Sequence, residues 1–270
     1  MKKIVAYFAG GIGALSCFFI TGCGPSAVPK EPSAPPLRVG MDLSYPPFES
    51  LKPGGEPEGV SVEIAKALAA ELGRPLKIEN IPFTGLIPSL KTGKIDIILS
   101  SMTDTPERRK SIAFSDPYLS IGLALLVAEN SPVTSKENLD EPGRVVAVRQ
   151  GTTGQVWAEA NLKKARLLVL EKENAAVLEV LQGKADAFIY DQMSVWKQAQ
   201  QHPGKLRALL DPLQREYWAI GLRPEDNVLR EQINAFLKKF REEGGFEKLS
   251  EKFLPEQKRA FDQQGIEFFF

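Results

Sequence analysis

Four short polar stretches hold the side chains able to recognise a small charged molecule: residues 42–48, 100–108, 151–153 and the single Asp191. Arg108 offers a planar guanidinium whose two parallel N–H donors match a carboxylate, which a lysine would not reproduce. Ser101 and Thr103 can add hydroxyl or backbone donors, as can Thr153, and Asp191 can accept from an ammonium group. Each has an ordinary alternative: Arg108 as a surface residue of a short helix, Asp191 as the cap of the helix that follows it. Other chemistries lack their residues. One histidine (His202) and two cysteines leave no donor set for a zinc site, which needs three or four such ligands. There is no Gly-x-Ser-x-Gly elbow, and His202 in Gln200-Gln201-His202-Pro203 makes a poor general base. Lys+Arg and Asp+Glu both total 34, so no global field gathers nucleic acid.

The elements that must position these stretches alternate. From residue 37, short apolar strands are predicted at 38–41, 77–81, 95–99, 121–128, 145–148, 167–170, 185–189 and 217–222, with amphipathic helices between most of them. Ser61 can cap a helix carrying Ile64, Leu68 and Leu72 at four-residue spacing, ended by Gly73. Thr105-Pro106 reads as an N-cap with proline at the first helical position. Further helices are expected at 86–90, 155–162, 175–181, 192–200, 227–243 and 246–253. Every polar stretch lies just past a strand, where open α/β sheets bind ligands. Leu90-Lys91-Thr92-Gly93-Lys94-Ile95-Asp96 echoes Leu181-Gln182-Gly183-Lys184-Ala185-Asp186, which fits two lobes of similar build and equally fits ordinary helix-to-strand punctuation.

Before residue 37 the chain reads as an address. Lys2 and Lys3 precede an apolar run over 4–20 that ends in Ile20-Thr21-Gly22-Cys23, a charged n-region, an h-region and a lipobox-like cleavage site. Residues 1–22 are expected to be a lipoprotein signal peptide, with Cys23 lipidated and anchoring the chain to the cell envelope. The alternative, a permanent transmembrane helix, is opposed by Gly10, Gly11 and Gly13 within the run. Residues 23–36, with five prolines among small neighbours, form an extended tether.

A set of motifs in one order points to a family. Tyr45-Pro46-Pro47-Phe48-Glu49, Gly59-Val60-Ser61-Val62-Glu63-Ile64-Ala65, Phe83-Thr84-Gly85-Leu86-Ile87-Pro88-Ser89-Leu90, Gly93-Lys94-Ile95-Asp96, Ser101-Met102-Thr103-Asp104-Thr105-Pro106-Glu107-Arg108, Phe114-Ser115-Asp116-Pro117-Tyr118 and Gln150-Gly151-Thr152-Thr153 together resemble family 3 of the bacterial extracellular solute-binding proteins, the polar amino-acid-binding components of ABC importers. The resemblance spans roughly 37–254. It implies the type II periplasmic binding protein fold, two Rossmann-like α/β lobes joined by a two-strand hinge, here 37–128 plus 218–255 and 129–217, with a C-terminal tail over 256–270. The hinge crossings are expected near 128–131 and 212–217. The resemblance also implies a monomer with no cofactor and no nucleic-acid partner, which closes on a free L-amino acid and presents it to a permease.

By the same resemblance Arg108, Ser101, Thr103 and Thr153 bind the ligand's carboxylate and Asp191 its ammonium, while Tyr45 and Phe83 sandwich its side chain. Asp42 matches a position that accepts from an amide or cationic side chain, and Arg149 one where some glutamine binders carry a basic residue. An acceptor beside a donor suits an amide, which is both. At Ser61 many relatives carry an aspartate, and its loss weakens the case for lysine or arginine; glutamine leads narrowly, with arginine next. The rival function is a dehydratase on the same fold acting on prephenate-like substrates, for which Glu49 or Asp191 would supply the proton. The tail ending in Phe268-Phe269-Phe270 reads as a docked helix, a disordered tip or a partner contact.

Overall fold

The computed structural model describes residues 34–266. The signal peptide, the lipidation site Cys23 and all but the last residues of the tether lie outside the described residues, as does 267–270. Among the described residues no helix is long and apolar enough to cross a membrane.

The chain runs through β1 (Leu37–Met41), a small antiparallel sheet of β2 (Ser44–Tyr45), β3 (Glu49–Leu51) and β4 (Pro57–Glu58), then α1 (Val60–Glu71), β5 (Leu76–Asn80), α2 (Leu86–Lys91), β6 (Ile97–Ile98), α3 (Pro106–Arg109) and the long β7 (Ala113–Ala128). It continues with β8 (Val145–Arg149), α4 (Thr153–Asn161), β9 (Arg166–Leu170), α5 (Glu173–Leu181), β10 (Ala187–Asp191), α6 (Gln192–Gln201), β11 (Leu206–Leu209) and β12 (Arg215–Leu222). Three helices, α7 (Asn227–Glu242), α8 (Gly245–Phe253) and α9 (Pro255–Gln263), finish the described chain.

Each lobe has a parallel centre whose strands are buried on both faces, which explains their near-continuous apolar runs. In the first lobe β1 lies parallel between β5 and β6. In the second, β8 lies parallel between β9 and β10. Leu86, Leu90, Ile95 and Ile98 seal one side of the first sheet, and Leu123, Val127, Val146, Val148, Ala187 and Ile189 pack together in the second lobe.

The long strands β7 and β12 join the two. β12 pairs antiparallel with the first part of β7, from Leu222 opposite Ala113 to Arg215 opposite Gly122. Beyond that point Leu123–Val127 ladders with β10 and Leu125–Ala128 with β11, both in the second lobe. The crossing expected at 128–131 is therefore misplaced: β7 changes partners at Gly122 and Leu123, inside one unbroken strand. The strand was expected only from residue 121 because Ser115, Asp116 and Pro117 interrupt the apolar pattern. Pro117 cannot donate to a ladder, and the β12 register shifts beside its partner Ala219.

A second departure lies at the start of α1. Its N-cap is Gly59, and Ser61 sits inside the first turn. Gly59 has φ 121° and ψ 179°, and a Cβ there would lie 2.2 Å from the Phe48 carbonyl oxygen. That close approach lets Ser61 N–H donate to the Phe48 carbonyl at 2.9 Å and frees the Ser61 hydroxyl for the site. Gly59→Ala is expected to cost about 3 kcal/mol or more in chemical denaturation, because both the dihedral and the contact exclude a side chain.

The tail, in its described part, is a docked helix. Phe261 of α9 is buried and meets Trp196 of α6 edge-to-face at 6.4 Å.

Candidate functional site

The polar stretches converge because each follows a strand whose carboxyl end faces the cleft between the lobes. Asp42 follows β1, Ser101 and Thr103 follow β6, Arg149 ends β8, Thr153 opens α4, and Asp191 ends β10. With Tyr45, Phe83 and Arg108 they all line one pocket. Glu49, Ser100, Thr152, Tyr190, Glu216 and Trp218 line it as well; Ser100 and Thr152 lie in the candidate stretches, Glu49 was expected only as a proton donor, and Tyr190, Glu216 and Trp218 were not anticipated.

Arg108 is placed by α3, whose N-cap Thr105 accepts from Arg108 N–H at 3.2 Å. Its guanidinium donates to the Thr103 carbonyl at 2.7 Å and, across the cleft, to the Gly151 carbonyl at 3.1 Å. Burial pushes its pKa down to about 10, partly offset by the Glu216 carboxylate. Asp191 combines a capping role with a place on the pocket wall. Its carboxylate caps α6, accepting from Ser194 N–H at 3.0 Å, and it also faces the pocket. Burial pushes its pKa up to about 7.

Asp42 and Arg149 meet each other rather than standing open side by side. Arg149 donates to Asp42, linking second lobe to first, to the Tyr190 hydroxyl at 3.0 Å and to the Glu171 carbonyl at 3.2 Å. Asp42 also accepts from Ser44 Oγ at 2.7 Å and Phe83 N–H at 3.1 Å. Burial alone would lower the Arg149 pKa, but Tyr190 and Asp42 outweigh it and the pKa is raised. Asp42 is thus satisfied by the chain itself, and a buried pair of this kind serves geometry more than affinity.

Phe83 lies beneath both arginines, its ring centroid 5.5 Å from the Arg108 guanidinium carbon and 5.6 Å from that of Arg149. Tyr45 stacks on Phe48 at 5.3 Å and meets Trp218 edge-on at 6.0 Å.

Glu49 brings a carboxylate against Ser61. Its carboxylate is only 1 % exposed and accepts from Ser61 at 2.7 Å, Ser101 at 3.0 Å and Ser100 at 3.2 Å, three hydroxyls converging on one group. Burial pushes its pKa up to about 8 even against those donors. Of the two donors expected of Ser101, the hydroxyl is committed to Glu49. Ser101 is also the sole non-glycine with positive φ among the described residues, at 48°. Such backbone strain concentrates at binding sites.

The sequence model of the family described as "Bacterial extracellular solute-binding proteins, family 3" matches residues 37–256. The histidine-binding periplasmic protein of Escherichia coli (strain K12) is 30 % identical over 264 residues, covering 94 % of this chain and 97 % of its own. Among solved structures, the arginine-bound form of truncated ArgBP from T. maritima superposes with a TM-score of 0.71 at 38 % identity, covering 76 % of this chain and 95 % of that one. The ancestral amino acid-binding protein AncCDT-1, a precursor of cyclohexadienyl dehydratase, has a TM-score of 0.74 at 36 % identity, covering 80 % and 94 %. By the length of the family match and by the fold that carries the pocket, this chain belongs to the bacterial extracellular solute-binding proteins, family 3.

Proposed function

We propose that this chain is the substrate-binding component of an amino-acid ABC importer and that it closes its two lobes on an L-amino acid with a cationic side chain, arginine ahead of glutamine. The observation that carries this reading is Glu49, a buried carboxylate facing the same pocket as Arg108 and Asp191. An amino acid presents a carboxylate, an ammonium and a side chain. Arg108 with the Ser101 amide suits the first, Asp191 the second, and Glu49, in the pocket that Tyr45 and Phe83 also line, a cationic third. Asp42 and Arg149 hold the lobes in register around it.

Ligand contacts from both lobes stabilise the closed form, which the permease recognises. Export with lipidation at Cys23 and an extended tether keeps a monomer beside that permease. The chain acts by binding, as its transport relatives do; the raised pKa values of Glu49 and Asp191 come from burial and are in themselves no sign of proton-transfer chemistry.

The test is isothermal titration of the purified protein against the common L-amino acids, after partial unfolding to strip carried-over ligand. One-to-one binding with arginine tightest is expected. Glutamine binding more tightly than arginine would return the side-chain assignment to Asp42 and Arg149. A folded protein that bound no amino acid would overturn the function.

A further inference from the structure

The donors that this binding mode reserves for the ligand's carboxylate already meet a carboxylate of the chain. Thr103, from the first lobe, and Thr153, from the second, both donate to Oε2 of Glu216 at 2.9 Å. Gln214 Nε2 donates to its other oxygen at 2.8 Å. Glu216 is 4 % exposed and lines the pocket. It stands on β12 opposite Ile121, where that strand and β7 pass between the lobes. Arg108, the remaining group suited to a carboxylate, lies within the field of Glu216 while its N–H groups go to backbone carbonyls.

An acceptor for the ligand's ammonium does not account for this residue, because Asp191 provides one. Nor does a structural ion pair, since the hydroxyls that converge on Glu216 come from opposite sides of the cleft. The arrangement has the form of the bound carboxylate itself, built into the hinge.

We propose that Glu216 is a resident surrogate for the ligand's carboxylate: it clasps Thr103 to Thr153 across the cleft, and an amino acid binds by displacing it. The proposal rests on the amino-acid-binding reading above. It has two consequences. Without ligand, the clasp favours the closed arrangement of the lobes. With ligand, two carboxylates share the neighbourhood of Arg108, so the site disfavours ligands that bring no additional positive charge and selects for cationic side chains.

Two variants test it. Glu216→Gln is isosteric and removes the charge; Glu216→Ala removes the acceptor. Titration with L-arginine is expected to show affinity about tenfold tighter or more in both. Unchanged or weaker affinity in both would overturn the proposal and make Glu216 a ligand contact or a bystander. Small-angle X-ray scattering without any amino acid reads the clasp separately, and Glu216→Ala is expected to have a larger radius of gyration than the parent. An unchanged radius would overturn the clasp whether or not an amino acid binds. If the variant opened but neither protein bound any amino acid, the clasp would stand, and the functional reading would fall together with the displacement that rests on it.

Discussion

Arg108→Ala is expected to lower affinity for the bound amino acid by about a thousandfold, close to 4 kcal/mol, while the melting temperature is expected to stay within a few degrees of the parent. The two halves of this expectation have one cause. Burial pushes the guanidinium down to about 10, so the fold bears the cost of a desolvated cation whose return comes with a ligand carboxylate. Alanine removes that cost together with the bonds to the Thr103 and Gly151 carbonyls, and the two changes oppose each other in stability. In binding nothing opposes, since the charge-assisted fork is lost outright. Arg108→Lys separates charge from shape and is expected to lose about ten- to a hundredfold. Titration calorimetry with a parallel thermal melt checks all three proteins. An alanine variant that bound normally would remove Arg108 from the site.

The sequence was legible where local pattern and global fold agree. Strands with apolar runs, helices with four-residue spacing and polar residues just past strand ends all lie near where pattern places them, and the nine candidate ligand residues line one pocket. What was missed depends on contacts distant in the chain. Gly59 replaces Ser61 as the cap because of its approach to Phe48, which no local propensity records. Glu49 was considered only as a proton donor; its role depends on Ser61, Ser100 and Ser101 arriving from elsewhere. Asp42 and Arg149 were read as an acceptor beside a donor, but proximity did not reveal that they bond each other. Glu216 did leave a trace. Along β12 the buried Glu216 and Trp218 flank the exposed Tyr217, and a carboxylate on the buried face of a strand needs partners that only the tertiary structure supplies.

Glu49 gives the sharpest test of which amino acid is carried. Glu49→Gln is expected to weaken arginine binding about a hundredfold, near 2.7 kcal/mol, and to change glutamine binding by less than about threefold, because the amide side chain can still exchange hydrogen bonds with a cationless ligand. The parent protein shows the same distinction through pH. Glu49 has a pKa near 8 without a cation beside it, so pairing with a guanidinium requires release of its proton. Arginine affinity should therefore rise with pH, by up to about tenfold per unit, and level off above about pH 8. Asp191, near 7, weakens every amino acid below neutrality, which leaves pH 7–9 as the discriminating window. Glutamine should show no gain in that window and a loss above pH 8, where Glu49 ceases to be a donor. Stability moves the opposite way. The folded pKa of Glu49 lies above its ordinary value near 4.5, so the folded state keeps a proton that the unfolded chain releases. That contribution is complete below about pH 4.5 and is lost progressively up to about pH 8. Glu49→Gln should remove this loss and stabilise the protein by about 3 kcal/mol near pH 7, with little effect at pH 4.5. Denaturation at the two pH values, run beside arginine titrations at pH 7 and 9, measures both. A variant with unchanged stability at neutral pH and unchanged arginine affinity would place the ligand's positive charge elsewhere in the pocket.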